Sequence, residues 1–242
     1  MSNIKTCFIP AAGFGKRMKE LTVDLPKPLL KVDGFTLLKT AVSRAKLFAA
    51  ERFVINAHYH SEKIAQEISL YRNTETSVSE EKGEILGTAG GIRTAVHRGF
   101  IKENEKIMIV NPDMLYFPDH SEWKPEADSE SVCTLFLGKK NPEDSFTGFA
   151  FRDERSIHTH PDGQFFYIGI CILDVSVLNY LEPDKYADLS EDFKRLAVQG
   201  KLFGKIFPGK FYDTGEKEKY KYLKNAGLVR QDNELVNMLE SF

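Results

Sequence analysis

The chain has 242 residues, with 33 Lys and Arg against 35 Asp and Glu and a formal net charge of −2. Hydrophobic residues make up 42% and charged residues 28%, an ordinary globular composition long enough to bury roughly 70–75% of the unfolded surface without disulfides. The balanced charge argues against a nucleic-acid binder, no apolar run approaches the ~18 residues of a membrane span, and Met1–Lys5 does not open a secretory signal, so a cytoplasmic protein with no nucleic-acid or membrane partner is expected.

In chain order, Lys5–Pro10 is a short apolar run that meets a glycine-bearing segment. Thr36–Ala50 repeats apolar residues at helical spacing, Arg52–Asn56 reads as a second strand, and Ser61–Tyr71 reads as a helix with Ser61 as its N-cap. Thr76–Ser79 suggests a third strand, Ala89–Arg98 a helix, and Lys106–Val110 a buried strand. This alternation predicts an α/β fold, Rossmann-like, with a mostly parallel mixed sheet flanked by helices. After Asp119 the rhythm changes. Ser131–Gly138, Gly148–Arg152 and Phe165–Leu173 are β-like without full helices between them, so the sheet is expected to continue in antiparallel or mixed strands. Helical patterns return at Val175–Tyr180 and Glu191–Gln199, a strand is expected at Leu202–Phe207, and a helical region begins at Glu216. Cys7, Cys133 and Cys171 lie far apart inside apolar runs, which predicts buried, reduced core cysteines.

The first strand is followed directly by Ala11-Ala12-Gly13-Phe14-Gly15-Lys16-Arg17-Met18. In an α/β sheet ligands bind beyond the carboxyl ends of the strands, and glycines let backbone N–H groups face a phosphate. Lys16 and Arg17 add positive charge there. The segment is neither a GxxxxGK(S/T) loop nor a GxGxxG fingerprint, because Met18 stands at the third glycine and the second strand ends in Asn56-Ala57-His58 without an acid. Lys27, bracketed by Pro26 and Pro28, lies on a stiff segment from which it can reach back to the same phosphates, or stand solvated in a turn.

The run from Ala11 to Leu29 resembles the signature of sugar-1-phosphate nucleotidyltransferases, G-x-G-T-R-(M/L)-x-P-L-T followed by P-K-P, at Gly13, Gly15, Arg17, Met18, Leu21, Thr22, Pro26, Lys27 and Pro28. It departs at Lys16, in place of a small hydroxyl residue, and at Glu20, in place of proline. Glu84-Ile85-Leu86-Gly87-Thr88-Ala89-Gly90 resembles the family's L-G-T-A-G segment, which implies a nucleobase contact at Gly87 and a hydrogen bond from the base or ribose accepted by Glu84. Asn111-Pro112-Asp113 resembles N-G-D and Phe211-Tyr212-Asp213-Thr214-Gly215 resembles W-x-D-(I/V)-G, which implies Asp113 and Asp213 as Mg2+ ligands. Tyr167-Ile168-Gly169 resembles the N-x-G strand bordering the sugar, so the resemblance places Asn111, Tyr167 and Gly169 at the sugar, and Ala11, Ala12, Gly13, Gly15 and Lys16 at the nucleotide.

The implied reaction transfers a nucleotidyl group from a nucleoside triphosphate to a sugar 1-phosphate, with Mg2+ as cofactor and Arg17 and Lys27 neutralising charge. The family's sugar-phosphate lysine is missing between Arg152 and Gly169, where Arg155, His158 and His160 are the substitutes at hand. Short members acting on N-acetylmuramate 1-phosphate also lack it and carry an Asn-x-His segment similar to Asn56-Ala57-His58, which favours UTP. Two further readings stand beside this one: a non-catalytic nucleotide-sugar-binding homologue, suggested by Pro112 and Glu20, and a cytidylyltransferase acting on phosphocholine. With motifs from Gly13 to Gly215, residues 1–242 are expected to form one domain. Residues 1–118 would bind nucleotide, 119–215 would hold the sugar and the second metal ligand, and 216–242 would be a helical end too short for an appended β-helix.

Overall fold

A computed structural model describes residues 4–127, 130–141 and 145–242. The first apolar run forms β1 (Thr6–Pro10), and the glycine loop leads from it into two 3-10 turns, Lys16–Thr22 and Lys27–Leu29. A small hairpin, β2 (Lys31–Val32) with β3 (Phe35–Thr36), precedes α1 (Leu37–Leu47). The Thr36 hydroxyl caps α1 by accepting from the Lys39 N–H at 3.1 Å. Then follow β4 (Arg52–Ala57), α2 (Ser61–Ser69), β5 (Glu75–Glu80), α3 (Gly87–His97) and β6 (Lys106–Val110). β1 lies between β4 and β6 with β5 outside β4, all parallel, as the alternation of strand and helix predicts. One local expectation is corrected. His60, in the left-handed region at φ 52°, caps α2, while the Ser61 hydroxyl donates to Glu80 at 2.7 Å instead.

The second half supplies β7 (Met114–Pro118), β8 (Cys133–Lys139), β9 (Phe149–Phe151), β10 (Ile157–Thr159) and β11 (Phe165–Asp174). After these come α4 (Leu189–Val198), β12 (Leu202–Ile206), β13 (Gly209–Asp213), α5 (Lys217–Leu223) and α6 (Asn233–Glu240). β11 runs antiparallel to both β6 and β8, and β12 runs parallel to β8. The β9–β10 hairpin joins at the start of β11, which completes one nine-stranded mixed sheet. The change of rhythm after Asp119 is this switch to antiparallel pairing.

Alternate residues of β11 feed two cores. Phe166, Ile168, Ile170 and Ile172 pack with residues of α1 and α2, whereas Cys171 and Leu173 pack with α3 and α4. The three cysteines are buried and unpaired, as their apolar settings predict. A third, smaller core joins Met18, Leu30 and Leu37 to Tyr220, Val229, Leu235 and Leu239, so the C-terminal helices pack beneath the segment that carries the phosphate-loop motif. Among the described residues no helix is long and apolar enough to cross a membrane.

Five strands have no counterpart among the expected elements: β2, β3, β7, β10 and β13. β7 and β13 pair with each other, outside the large sheet, in a register from Gly209 opposite Pro118 to Asp213 opposite Met114. The pairing brings the residue after Asp113 alongside Asp213, although the two aspartates lie far apart in the chain.

Candidate active site

A cleft of about 420 Å³ opens beyond the carboxyl ends of β1 and β6, from Pro10 and Asn111 outward. Ala11, Ala12, Gly13, Gly15, Lys16, Arg17, Lys27, Gly87, Asn111 and Asp113 all line it, and Gly215 adds to its wall. Residues from four separate stretches of sequence therefore converge at the end of the sheet where α/β proteins bind ligands.

The glycine loop has a specific geometry. Gly15 sits in the left-handed region at φ +62°, and a Cβ there would lie 3.1 Å from both the Lys27 and the Thr22 side chains. The loop thus packs directly on the proline-bracketed lysine. Its carbonyl accepts from the Met18 N–H at 2.8 Å and from the Thr22 hydroxyl at 3.1 Å, which closes the turn. At Gly13, by contrast, a Cβ would meet nothing within 4 Å. Packing of the chain itself does not demand glycine at 13, so the residue leaves the cleft floor open to an incoming group. Lys16 reaches over the Phe14 ring, 5.5 Å from its centroid.

Opposite the loop stand the two aspartates. Lys27 Nζ donates to Asp113 Oδ2 at 2.5 Å, with the lysine side chain only 11% exposed. Asp213 Oδ2 accepts from Lys219 Nζ at 2.9 Å and Asp213 Oδ1 from the Gly215 N–H at 2.6 Å. The Asp113 carbonyl accepts from both the N–H and the hydroxyl of Thr214, at 2.9 and 2.7 Å. This buried threonine fastens Asp113 next to β13, and the peptide after Pro112 is held without the N–H that proline lacks. Gly215 is the point of convergence. A Cβ on it would lie 2.6 Å from Asp213 Oδ1 and 3.4 Å from both Arg17 Nη2 and Lys27 Nζ.

A buried relay joins the two sides of the cleft. The Ala11 N–H donates to Asn56 Oδ1 at 2.7 Å, Asn56 Nδ2 to Glu81 Oε1 at 2.6 Å, and the Leu86 N–H to Glu81 Oε2 at 2.9 Å. Glu81 is 3% exposed, and burial pushes its carboxyl upward against the pull of its hydrogen bonds. Gly91 makes room for the pair: a Cβ there would fall 2.8 Å from Asn56 Nδ2 and from Glu81 Oε1. Glu84, the carboxylate expected at the base, lies exposed and outside the cleft lining. A carboxylate preceding a helix start is a visible signal. Its burial depends on Asn56, 25 residues away, which is not.

The glycines opening α3 answer to the chain as well as to the cleft. The Ala187 carbonyl accepts from the N–H groups of Ala89 and Gly90 at 3.1 and 3.2 Å, satisfying donors a helix start leaves open. Gly87, at φ +67°, would place a Cβ 2.5 Å from that same oxygen, and Gly90 one 2.2 Å from the Lys185 carbonyl. The close backbone approach at Gly87 is therefore made by Ala187, while Gly87 and Thr88 still face the cleft.

Two of the residues expected at a sugar, Tyr167 and Gly169, do not line this cleft. The Tyr167 ring packs edge-on against Phe193 of α4 at 5.4 Å, on the side of β11 away from Phe166. Gly169 forms an irregularity in β11 at φ +90°, and its carbonyl accepts from the Asn111 N–H at 2.8 Å, so it supports Asn111 from behind. Arg155 engages Glu130 at 3.6 Å and the Phe203 ring at 5.9 Å, and the His158 and His160 rings contact each other at 5.9 Å. His58 faces the Glu81 carbonyl at 2.9 Å and the Phe14 ring at 5.4 Å.

Among the described residues no group of three or more His, Cys, Asp or Glu side chains stands ready for a metal. Mg2+ commonly takes only one or two carboxylates and completes its shell with phosphates and water. The donor set here, two aspartates at the paired ends of β7 and β13, fits that ion and does not fit one that demands an all-protein cage.

The family model for nucleotidyl transferases matches residues 7–226. The chain belongs to the nucleotidyl transferase family. The N-acetylmuramate alpha-1-phosphate uridylyltransferase of Caulobacter vibrioides is 26% identical over 88% of this chain and 92% of its own length. Mannose-1-phosphate guanylyltransferase 1 of Arabidopsis thaliana is 23% identical over 88% of this chain, which spans only 62% of that protein. The crystal structure of HddC from Yersinia pseudotuberculosis superposes with a TM-score of 0.74 at 19% identity, covering 91% of this chain and 98% of the other, which establishes the common fold. This nucleotidyltransferase thus has the mixed, mostly parallel sheet that its sequence predicts.

Proposed function

We propose that this nucleotidyltransferase moves a nucleotidyl group from a nucleoside triphosphate, with UTP preferred, to a sugar 1-phosphate and releases pyrophosphate. The observation that carries the reading is the convergence at Gly215, where Arg17, Lys27 and Asp213 approach one point that an added carbon would fill. The UTP preference draws support from the uridylyltransferase relative, which this chain matches along nearly its full length.

The acceptor's phosphate oxygen is already an anion, so attack on the α-phosphorus needs no strong base. A new P–O bond forms at the α-phosphorus while its bond to the bridging oxygen breaks, and pyrophosphate leaves with that electron pair. The obstacle is electrostatic: two polyanions must meet, and the leaving group gains charge. Positioning and fixed cations therefore provide most of the rate. The N–H groups of the Gly13–Gly15 loop face the triphosphate, and Lys16 and Arg17 neutralise its outer oxygens. Lys27, stiffened by its flanking prolines, holds a fixed ammonium beside the reacting phosphorus. Asn111 borders the acceptor side. Asp113 and Asp213 would hold Mg2+, which when bound supplies positive charge to the phosphate oxygens.

A pyrophosphate-release screen tests the reading by crossing the common nucleoside triphosphates with sugar 1-phosphates and phosphocholine, with and without Mg2+. Release is expected only when nucleotide, sugar 1-phosphate and Mg2+ are all present, most rapidly with UTP. Nucleotide binding with no release for any pair would favour a non-catalytic homologue instead.

A further inference from the structure

The cleft is lined by three cations, Lys16, Arg17 and Lys27, and the chain holds them in different ways. Lys27 Nζ pairs with Asp113 Oδ2 at 2.5 Å, and Arg17 Nη1 stands 4.0 Å from Glu216 Oε1. Among the described residues Lys16 has no carboxylate partner, and its ammonium lies 5.5 Å from the centroid of the Phe14 ring. Lys16 is also the residue that replaces the small hydroxyl of the signature.

The kind of partner matters to an anionic ligand. A carboxylate that holds a cation also offsets its charge, and an incoming phosphate is repelled by that carboxylate. An aromatic ring attracts the ammonium through its quadrupole and leaves the unit charge intact. A solvated lysine swings on a flexible stem and loses that freedom when it grips a ligand. A ring partner removes part of the freedom before the ligand arrives.

Phe14 is placed for this task. It is 39% exposed, which is costly for a phenylalanine in water, and it lines the same cleft as Lys16. The connection between β4 and α2 braces its ring. His58 meets it edge-on at 5.4 Å with an interplanar angle of 90°, and the Tyr59 ring lies at 6.1 Å. His58 Nδ1 is 2.9 Å from the Glu81 carbonyl, and the Tyr59 hydroxyl donates to the Val23 carbonyl, so both bracing rings are themselves tied down.

We propose that Phe14 is a positioning residue: its ring holds the Lys16 ammonium, uncompensated, at the triphosphate loop, where the cation takes the outer phosphates of the nucleotide and stays with the departing pyrophosphate. The inference rests on the nucleotidyl-transfer reading and adds to it the residue that aims this cation. The ligand class recognised is a polyphosphate. A nucleoside monophosphate offers Lys16 no outer phosphate and gains nothing from the ring.

The test is titration calorimetry on the full chain with Mg2+ present. The common nucleoside triphosphates are tried first, then inorganic pyrophosphate and the monophosphate of the nucleotide that binds most tightly. Wild type is compared with Phe14→Leu, Phe14→Tyr, Lys16→Met and the double variant of Phe14→Leu with Lys16→Met. Leucine keeps an apolar side chain and removes the quadrupole, so Phe14→Leu should weaken triphosphate and pyrophosphate by about 3- to 30-fold and leave the monophosphate unchanged. Phe14→Tyr retains a ring and should bind as wild type does. In the Lys16→Met background, Phe14→Leu should cause no further loss. Equal weakening of monophosphate and triphosphate would mean that Phe14 touches the nucleoside or only packs the loop, and would overturn the proposal. A full Phe14→Leu loss that persists beside Lys16→Met would overturn it too. Absence of binding by every triphosphate removes the reaction reading and this inference together, whereas wild-type triphosphate affinity in Phe14→Leu removes the inference alone.

Discussion

Gly215 illustrates how little space separates the functional groups. Its added carbon would crowd Asp213 Oδ1 at 2.6 Å, while Arg17 and Lys27 stand 3.4 Å from the same point. Gly215→Ala should therefore lower turnover by about tenfold or more, the scale of one displaced electrostatic contact, with little change in melting temperature. Pyrophosphate release and thermal melting on the same preparation check this. At this scale the sequence was partly transparent. Arg17, Lys27, Asp113 and Asp213 stand inside motifs whose spacing survives in one chain. Thr214 was opaque because it acts by holding another residue, an aspartate 101 positions upstream. Glu20, the departure from the usual proline, has its own partner in Lys217, which ties the first 3-10 turn to α5 and draws the carboxyl below its ordinary range.

Among the elements, β4 and α3 are joined by the Asn56–Glu81 relay, which fixes the first residue of the phosphate loop relative to the start of α3. Burial raises the Glu81 carboxyl in the folded chain above its unfolded value, so the folded state binds its proton more tightly. The contribution of this group to stability is unimpaired below the unfolded value near 4.5 and declines as pH rises above it. Glu81→Gln removes the titration, so the melting temperature of wild type should fall relative to that of the variant as pH is raised from acid toward neutrality. Thermal melts across that range would show it, and a wild type that gains on the variant with rising pH would contradict it. The strands and helices of the first half were legible because their apolar periods are regular and their partners follow in order. β7 and β13 were not, since Met114–Pro118 ends in a proline and Gly209–Asp213 is only partly buried. Each becomes a strand only by pairing with the other, across some ninety intervening residues of chain.

Across the whole molecule, the C-terminal segment is part of the scaffold. Buried Asp33 accepts from the N–H groups of Gly227 and Val229, both at 2.9 Å, and Arg44 pairs with Asp232. These ties hold α6 against α1 and close the small core that contains Met18. Asp33→Ala leaves two N–H groups without their acceptor and should cost about 1–3 kcal/mol in urea unfolding, with weaker nucleotide binding as the Met18 segment loosens. The near-neutral net charge conceals a local concentration of Lys16, Arg17 and Lys27 about one cleft, balanced by the two aspartates. The central claim is that these groups act together on a nucleotide and a sugar phosphate. Its most direct test is pyrophosphate release by Asp113→Asn beside wild type, with melting curves for both. The account predicts that wild type releases pyrophosphate only with nucleotide and sugar 1-phosphate together, and that Asp113→Asn folds and melts normally yet loses turnover by about 100-fold or more. Undiminished turnover in the folded variant would contradict it.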